Sequence, residues 1–198
     1  YTGAGSRVAI IDTGLDTDHP SFDPDAYHYA LQIDAIENGK SVSDYRMLTV
    51  SDIEKVLPLL NAKTRMPALK ATDLYRNEKL AYAFNYVDKG LDVTHDNDTQ
   101  GDHGTHVSGI ATSNTYVKHV ADNGAVSFVK QENGVCGVAP NAQIMTMKVF
   151  GRGGGAYASD YMEAIEDAVL LGADAVNLSL GSAVPGKSYS GIAYTDKI

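Results

Sequence analysis

Gly101-Asp102-His103-Gly104-Thr105-His106-Val107-Ser108-Gly109 decides how the rest of the chain reads. Two histidines three apart lie among glycines, and an apolar helical pattern (Val107, Ile110, Ala111) follows. The spacing predicts a helix with His103 near its N-terminus. There the macrodipole opposes a positive charge and favours the neutral imidazole that a general base needs. Such a base wants a carboxylate to orient it. Asp12 follows the apolar run Val8-Ala9-Ile10-Ile11 and precedes Gly14, so it projects from the carboxyl end of a buried strand. Open α/β sheets place their sites at that end.

The 198 residues suffice for one domain with a sizeable core, and an apolar share of 43% predicts a folded chain. A net charge of −9 argues against a surface for nucleic-acid phosphates. No apolar run reaches the length of about 18 residues that a membrane-spanning helix needs. The sequence starts at Tyr1 with no charged-then-apolar leader, which is expected of a processed product or an excised piece. Cys136 is alone, so no intrachain disulfide forms, and between Val135 and Gly137 it is expected as a small core residue.

Outward from the histidine stretch, Ser6 to Ile11 reads as a short strand entering a turn at Asp12-Thr13-Gly14, and Leu15 to Pro20 as loop. Phe22 to Asp98 is mixed. Within it, Ser51-x-x-Glu54 matches a capping box with Pro58 beyond it, Asp73 to Leu80 is a candidate helix, and Ala81 to Val87 a strand rich in aromatics. Asp88 to Asp102 is acidic and read as solvated, and a polar stretch follows the histidine helix. Ile144 to Phe150 reads as a second buried strand, Gly151 to Gly155 as a glycine-rich loop, and Ser159 as the N-cap of a helix ending at Gly172. Ala175 to Leu180 is a third strand. Strand–helix–strand at this spacing is a βαβ unit with a right-handed crossover, hence an α/β domain with a mostly parallel sheet flanked by helices in three layers.

Val8-Ala9-Ile10-Ile11-Asp12-Thr13-Gly14 with Asp18-His19-Pro20, then His103-Gly104-Thr105-His106-Val107-x-Gly109, resemble the aspartate and histidine motifs of subtilisin-like serine proteases. Gly137-Val138-Ala139-Pro140, Lys148-Val149-Phe150-Gly151 and Asn177-Leu178-Ser179-Leu180-Gly181 resemble that family's next landmarks, in order. Phe84-Asn85-Tyr86-Val87-Asp88 and the long insertion at about 25–80 resemble the cell-envelope branch, the lactocepin and C5a-peptidase-like enzymes. The resemblance implies that Asp12 orients the imidazole of His103 and that His103 moves the proton of a serine hydroxyl. It makes His106 structural. It places Gly153, Gly154 and Gly155 on one edge segment and Ser179, Leu180 and Gly181 on the facing one, with a peptide held between them by strand addition.

Two departures from the family pattern shape the expectation. The nucleophile motif Gly-Thr-Ser-Met-Ala-x-Pro and the oxyanion asparagine have no match, and Gly181-Ser182-Ala183 lacks the flanking residues. Residues 1–198 are therefore expected to be the truncated N-terminal portion of a peptidase catalytic domain, inactive alone, with the serine beyond Ile198 in a missing C-terminal half. Ser21 stands where family members carry a calcium-ligating aspartate, and Asp96-x-Asp98-x-Gln100-Gly101 lacks the closing glutamate of a calcium loop. No cofactor is expected for the chemistry, and a structural calcium is the one ion the resemblance leaves open. The implied partner is a protein or peptide substrate, with no nucleic acid and no transmembrane segment, and the implied setting is secreted or cell-wall-associated.

Other readings compete. Asp-Thr-Gly also marks aspartic proteases, which need two copies, and one occurs here. His103-x-x-His106 is half a zinc site without a third ligand at a telling spacing. The glycines at 151–155 miss the dinucleotide spacing. His19, His28, His95 and His119 are expected at the surface. A peptide-binding pseudoprotease remains as the alternative to an enzyme, and a Gly-Thr-Ser motif downstream of Ile198 discriminates between the two. The 90 residues from 13 to 102 suggest a rim or lid restricting substrates.

Overall fold

A computed structural model describes residues 1–94, 99, 101–131 and 136–181. Four strands form a parallel sheet in the order β2-β5-β1-β6: β1 (Arg7–Asp12), β2 (Leu80–Asn85), β5 (Gln143–Lys148) and β6 (Ala175–Asn177). β2 and β5 are buried at every position, as a strand covered on both faces must be. β6 is the exposed edge and ends at Asn177, short of the predicted Leu180.

α5 (His103–Thr112) covers one face, where Val107 and Ala111 pack on Ile10, Leu80 and Ile144. α6 (Ala158–Leu170) covers the other through Ala164 and Ala168, with its C-cap Leu171. The three layers expected from the βαβ pattern are present. Tyr157 rather than Ser159 is the N-cap of α6, and Gly172 at φ +73° closes its far end as predicted.

The insertion is built of short helices. α1 (Pro24–Glu37) was not anticipated. Asp23 caps it, its carboxylate accepting from Ala26 N at 2.8 Å, and Pro24 takes the first turn. α2 (Val50–Val56) starts at a capping box formed by Thr49 and Asp52, two residues before the predicted Ser51–Glu54 box, and passes into a single 3-10 turn at Pro58. α3 (Asn61–Arg65) and α4 (Ala71–Leu74) follow, and the helix expected from Asp73 to Leu80 is confined to the latter. Ile53, Leu60, Ala62, Leu69 and Leu74 join the same core cluster as the sheet residues Ile11, Phe84 and Met147. Residues of the segment are therefore packed into the core.

Asp167 of α6 ties that segment down. Its carboxylate accepts from Asn61 N (2.7 Å), Ala62 N (2.9 Å), Asn61 Nδ2 (3.2 Å) and the Tyr86 hydroxyl (2.8 Å). α3 has no cap of its own, so an aspartate from another helix satisfies its first N–H groups. Burial pushes the Asp167 carboxyl above its ordinary pKa, and the donors pull the other way.

The stretch read as polar after α5 is an antiparallel hairpin of β3 (Tyr116–Val120) and β4 (Val126–Lys130), turning at Gly124 with φ +80°. Tyr29 of α1 anchors it, stacked on Phe128 and edge-on to Tyr116 at ring distances of 4.7 and 5.0 Å. Cys136 is exposed, against the expectation of a core residue.

Candidate active site

Asp12 ends β1, the last residue paired to β5 before the chain turns at Thr13-Gly14. His103 is the first residue of α5. The two elements meet at Gly104, whose missing side chain lets the helix start sit against the turn after β1, and Gly14 makes room for the 93–94 segment. A Cβ on Gly104 would lie 2.2 Å from Gly14 O and one on Gly14 would lie 2.3 Å from Val93 O, so neither position admits a side chain without displacement. Gly14 also needs φ +125°, a conformation that favours glycine. Thr13 completes the joint, its Oγ1 accepting from Gly104 N at 2.9 Å and so satisfying a free N–H of the helix start.

The result is a short contact, His103 Nδ1 to Asp12 Oδ1 at 2.7 Å. Asp12 is 1% exposed, whereas the His103 side chain is 44% exposed. Thr13 N donates to the same Oδ1 at 2.7 Å. An ionised carboxylate only accepts, so the proton of the neutral imidazole sits on Nδ1 and the lone pair on Nε2. The ring is thus held from behind by a buried carboxylate and reached by solvent in front.

Lys148 supports the turn. It stands directly opposite Asp12 in the β1–β5 register, is fully buried, and donates from Nζ to Thr13 O. At the far end of α5, the equally buried Lys79 donates to Thr112 O (2.6 Å), Pro140 O (2.8 Å) and Ala142 O (3.0 Å), below the face of Tyr27. Burial holds its pKa well below the ordinary lysine value. Neither lysine was singled out from sequence. A lysine inside an apolar strand run, as at Lys148, was the available signal.

His106 lies one helical turn from His103, is exposed, and lines a groove of about 720 Å³ with Asp16, His19, Phe22 and Ile110. Gly153 and Gly155 are exposed, with open space where a Cβ would stand, and the Phe150–Ala156 bridge closes their loop. Ser179 and Gly181 are exposed and Leu180 half-buried in the extended segment after β6. The sequence-derived residues thus fall into one hydrogen-bonded Asp12–His103 pair and two surface segments.

The sequence model of the Subtilase family matches residues 3–197. This chain belongs to the subtilase family. A PI-type proteinase of Lactococcus lactis subsp. cremoris is 34% identical over 185 residues, covering 92% of this chain and 8% of that protein. A PII-type proteinase of Lacticaseibacillus paracasei is 32% identical, with the same coverage. A C5a peptidase of Streptococcus pyogenes serotype M6 is 32% identical over 182 residues, covering 91% of this chain and 12% of that protein. The chain therefore spans about a tenth of the length of these relatives, and they belong to the branch that its insertion and Phe84–Asp88 stretch resemble.

For a subtilase, the calcium question turns on Ser21. Its N–H donates to His19 Nδ1 at 3.2 Å, and among the described residues no three histidine, cysteine or carboxylate side chains gather. Asp96, Asp98 and Gln100 of the candidate calcium loop, His95, and Ser182-Ala183 lie outside the described residues. No helix among the described residues is long and apolar enough to cross a membrane.

Proposed function

We propose that this subtilase chain carries the acid–base half of a serine endopeptidase site. The observation that carries the reading is the 2.7 Å Asp12–His103 contact, with a buried carboxylate behind and an accessible ring in front. Asp12 holds Nδ1–H and stabilises the imidazolium as it forms. His103 Nε2 takes the proton of a serine hydroxyl as that oxygen attacks the scissile carbonyl, then returns it to the leaving amine. The serine comes from a Gly-Thr-Ser context that none of the 198 residues provides, so the isolated chain is expected not to cleave peptides. The oxyanion donor comes from the same source.

The substrate is a protein or peptide, in keeping with relatives named as proteinases and a peptidase. Its backbone adds as a strand between Gly153–Gly155 and Ser179–Gly181, and the protein works outside the cell or on the cell wall. No cofactor enters the chemistry.

The test is labelling of the full-length protein by a fluorophosphonate probe, which reacts with an activated serine. Labelling lost in His103→Ala supports the reading. A folded full-length protein that stays unlabelled overturns it in favour of a peptide-binding pseudoprotease.

A further inference from the structure

Thr13 makes three hydrogen bonds around the Asp12–His103 pair. Its N–H donates to Asp12 Oδ1 at 2.7 Å, its Oγ1 accepts from Gly104 N at 2.9 Å, and its carbonyl accepts from Lys148 Nζ. Asp12, Thr13 and Lys148 are all buried. Among the described residues Asp12 Oδ2 takes no hydrogen bond, so the carboxylate is oriented at Oδ1 alone, by Thr13 N and by His103 itself. One residue thus aims the acid and also holds the helix start that carries the base.

We infer that Lys148 is a positioning residue for the proton transfer, acting through Thr13, an inference that rests on the peptidase reading above. The peptide planes on both sides of Thr13 are held from the end of β5. Val149 N donates to Asp12 O at 3.0 Å, and Lys148 Nζ donates to Thr13 O. Each peptide unit is planar, so fixing one on either side leaves Thr13 little backbone rotation. Its N–H then stays on Asp12 and its hydroxyl on Gly104. Lys148 supplies one of the two outer clamps, and it touches neither reacting group to do so.

The residue type argues for more than packing. β5 is buried at every position, and Ile144, on the same face as Lys148 by the alternation of a strand, clusters with Ile10 and Leu80 under α5. Lys148 ends that face, level with Asp12 on one neighbouring strand and Asn85 on the other. A buried ammonium carries a desolvation cost that a methionine of similar length avoids. What lysine adds over methionine is N–H donors at the tip of the stem, and one of them reaches Thr13 O.

The test is a double-mutant cycle on peptide cleavage by the full-length protein, with rates taken per folded molecule. Lys148→Met keeps the length of the side chain and removes its donors. It is expected to lower kcat about 10- to 100-fold with KM unchanged, up to the cost of misplacing a reacting group by about 1 Å. In an Asp12→Asn background, where the tautomer is no longer held, the same substitution is expected to cost less than about twofold. Equal losses in both backgrounds, or a fall in melting temperature with kcat intact, assign Lys148 to stability alone and overturn the inference. Should Lys148→Met fail to fold, Thr13→Val decides. It keeps the backbone bonds of Thr13 and cuts the link to Gly104, so a kcat loss that vanishes in the Asp12→Asn background supports the relay and equal losses overturn it. A wild type that is labelled by fluorophosphonate while the losses are equal leaves the peptidase reading standing. A wild type that is neither labelled nor able to cleave removes that reading and this inference with it.

Discussion

Asp12 Oδ1 and His103 Nδ1 stand 2.7 Å apart, although 91 positions separate them in the chain. The contact exists because a strand end and a helix start cross at Gly104, where no side chain stands in the way. It also sets the first prediction. Asp12→Asn keeps an acceptor for Thr13 N but offers His103 an amide that can donate, so the ring can settle with its proton on Nε2. Peptide-cleavage kcat/KM of the full-length protein is expected to fall about 10⁴-fold, with the melting temperature nearly unchanged. A loss below tenfold would mean that Asp12 does not set the tautomer.

Gly104 and Gly109 lie on the same helix and should answer the same substitution with opposite signs. A methyl on Gly104 would meet Gly14 O at 2.2 Å and Asp12 Oδ1 at 3.1 Å, whereas one on Gly109 meets nothing within 4 Å. Gly104→Ala is expected to cost about 1–3 kcal/mol by overpacking and to slow fluorophosphonate labelling, because the helix start that carries His103 must retreat. Gly109→Ala is expected to stabilise by up to about 1 kcal/mol through helix propensity, with labelling intact. Urea denaturation of both variants checks the pair.

The insertion should depend on Asp167 far more than on its surface charges. Asp167→Ala removes the acceptor of four bonds and strands the two N–H groups at the start of α3. Asn61 Nδ2 still reaches Glu166 Oε2 and the Tyr86 hydroxyl still reaches Tyr82, and the substitution is expected to cost roughly 3 kcal/mol. The exposed Lys55–Asp52 pair, 2.9 Å long, should contribute less than about 0.5 kcal/mol when Lys55→Ala removes it. Protease digestion under native conditions should cut the first variant within the insertion and spare the second. Equal losses in the two would contradict the capping role.

Sequence was most legible where local pattern and burial agree. The apolar runs of β1 and β5, the glycine closing α6, and the Asp12–His103 pair all follow from short motifs. α1 was missed because its polar and apolar residues are poorly segregated, although Asp23-Pro24 is a cap followed by a first-turn proline. The hairpin was missed although Asn123-Gly124 marks its turn. Two overlapping capping boxes compete at 49–54, and the helix starts from the Thr49 one, with Ile53 buried. Lys148, Lys79 and Asp167 serve partners remote in sequence, so their roles emerge only once the sheet is assembled.

Acid sensitivity should track Asp34. Burial alone would raise its pKa and is the largest single influence, yet the donors together outweigh it. Thr2 Oγ1 at 2.5 Å, the Tyr45 hydroxyl and Asn141 Nδ2 at 3.4 Å hold the carboxyl below its ordinary value, with Lys40 adding to them. A carboxyl depressed in the folded state binds fewer protons there than in the unfolded chain. Its contribution is therefore full above about pH 4 and is lost as the pH falls through the lowered folded value. Asp34→Asn keeps an acceptor without the charge, so wild type should exceed the variant in stability at neutral pH. That gap should narrow on acidification and close once Asp34 is protonated in both states. Urea midpoints of the two proteins across the acid range measure it directly, and a gap that stays constant to the lowest pH would assign the role of Asp34 to packing rather than charge.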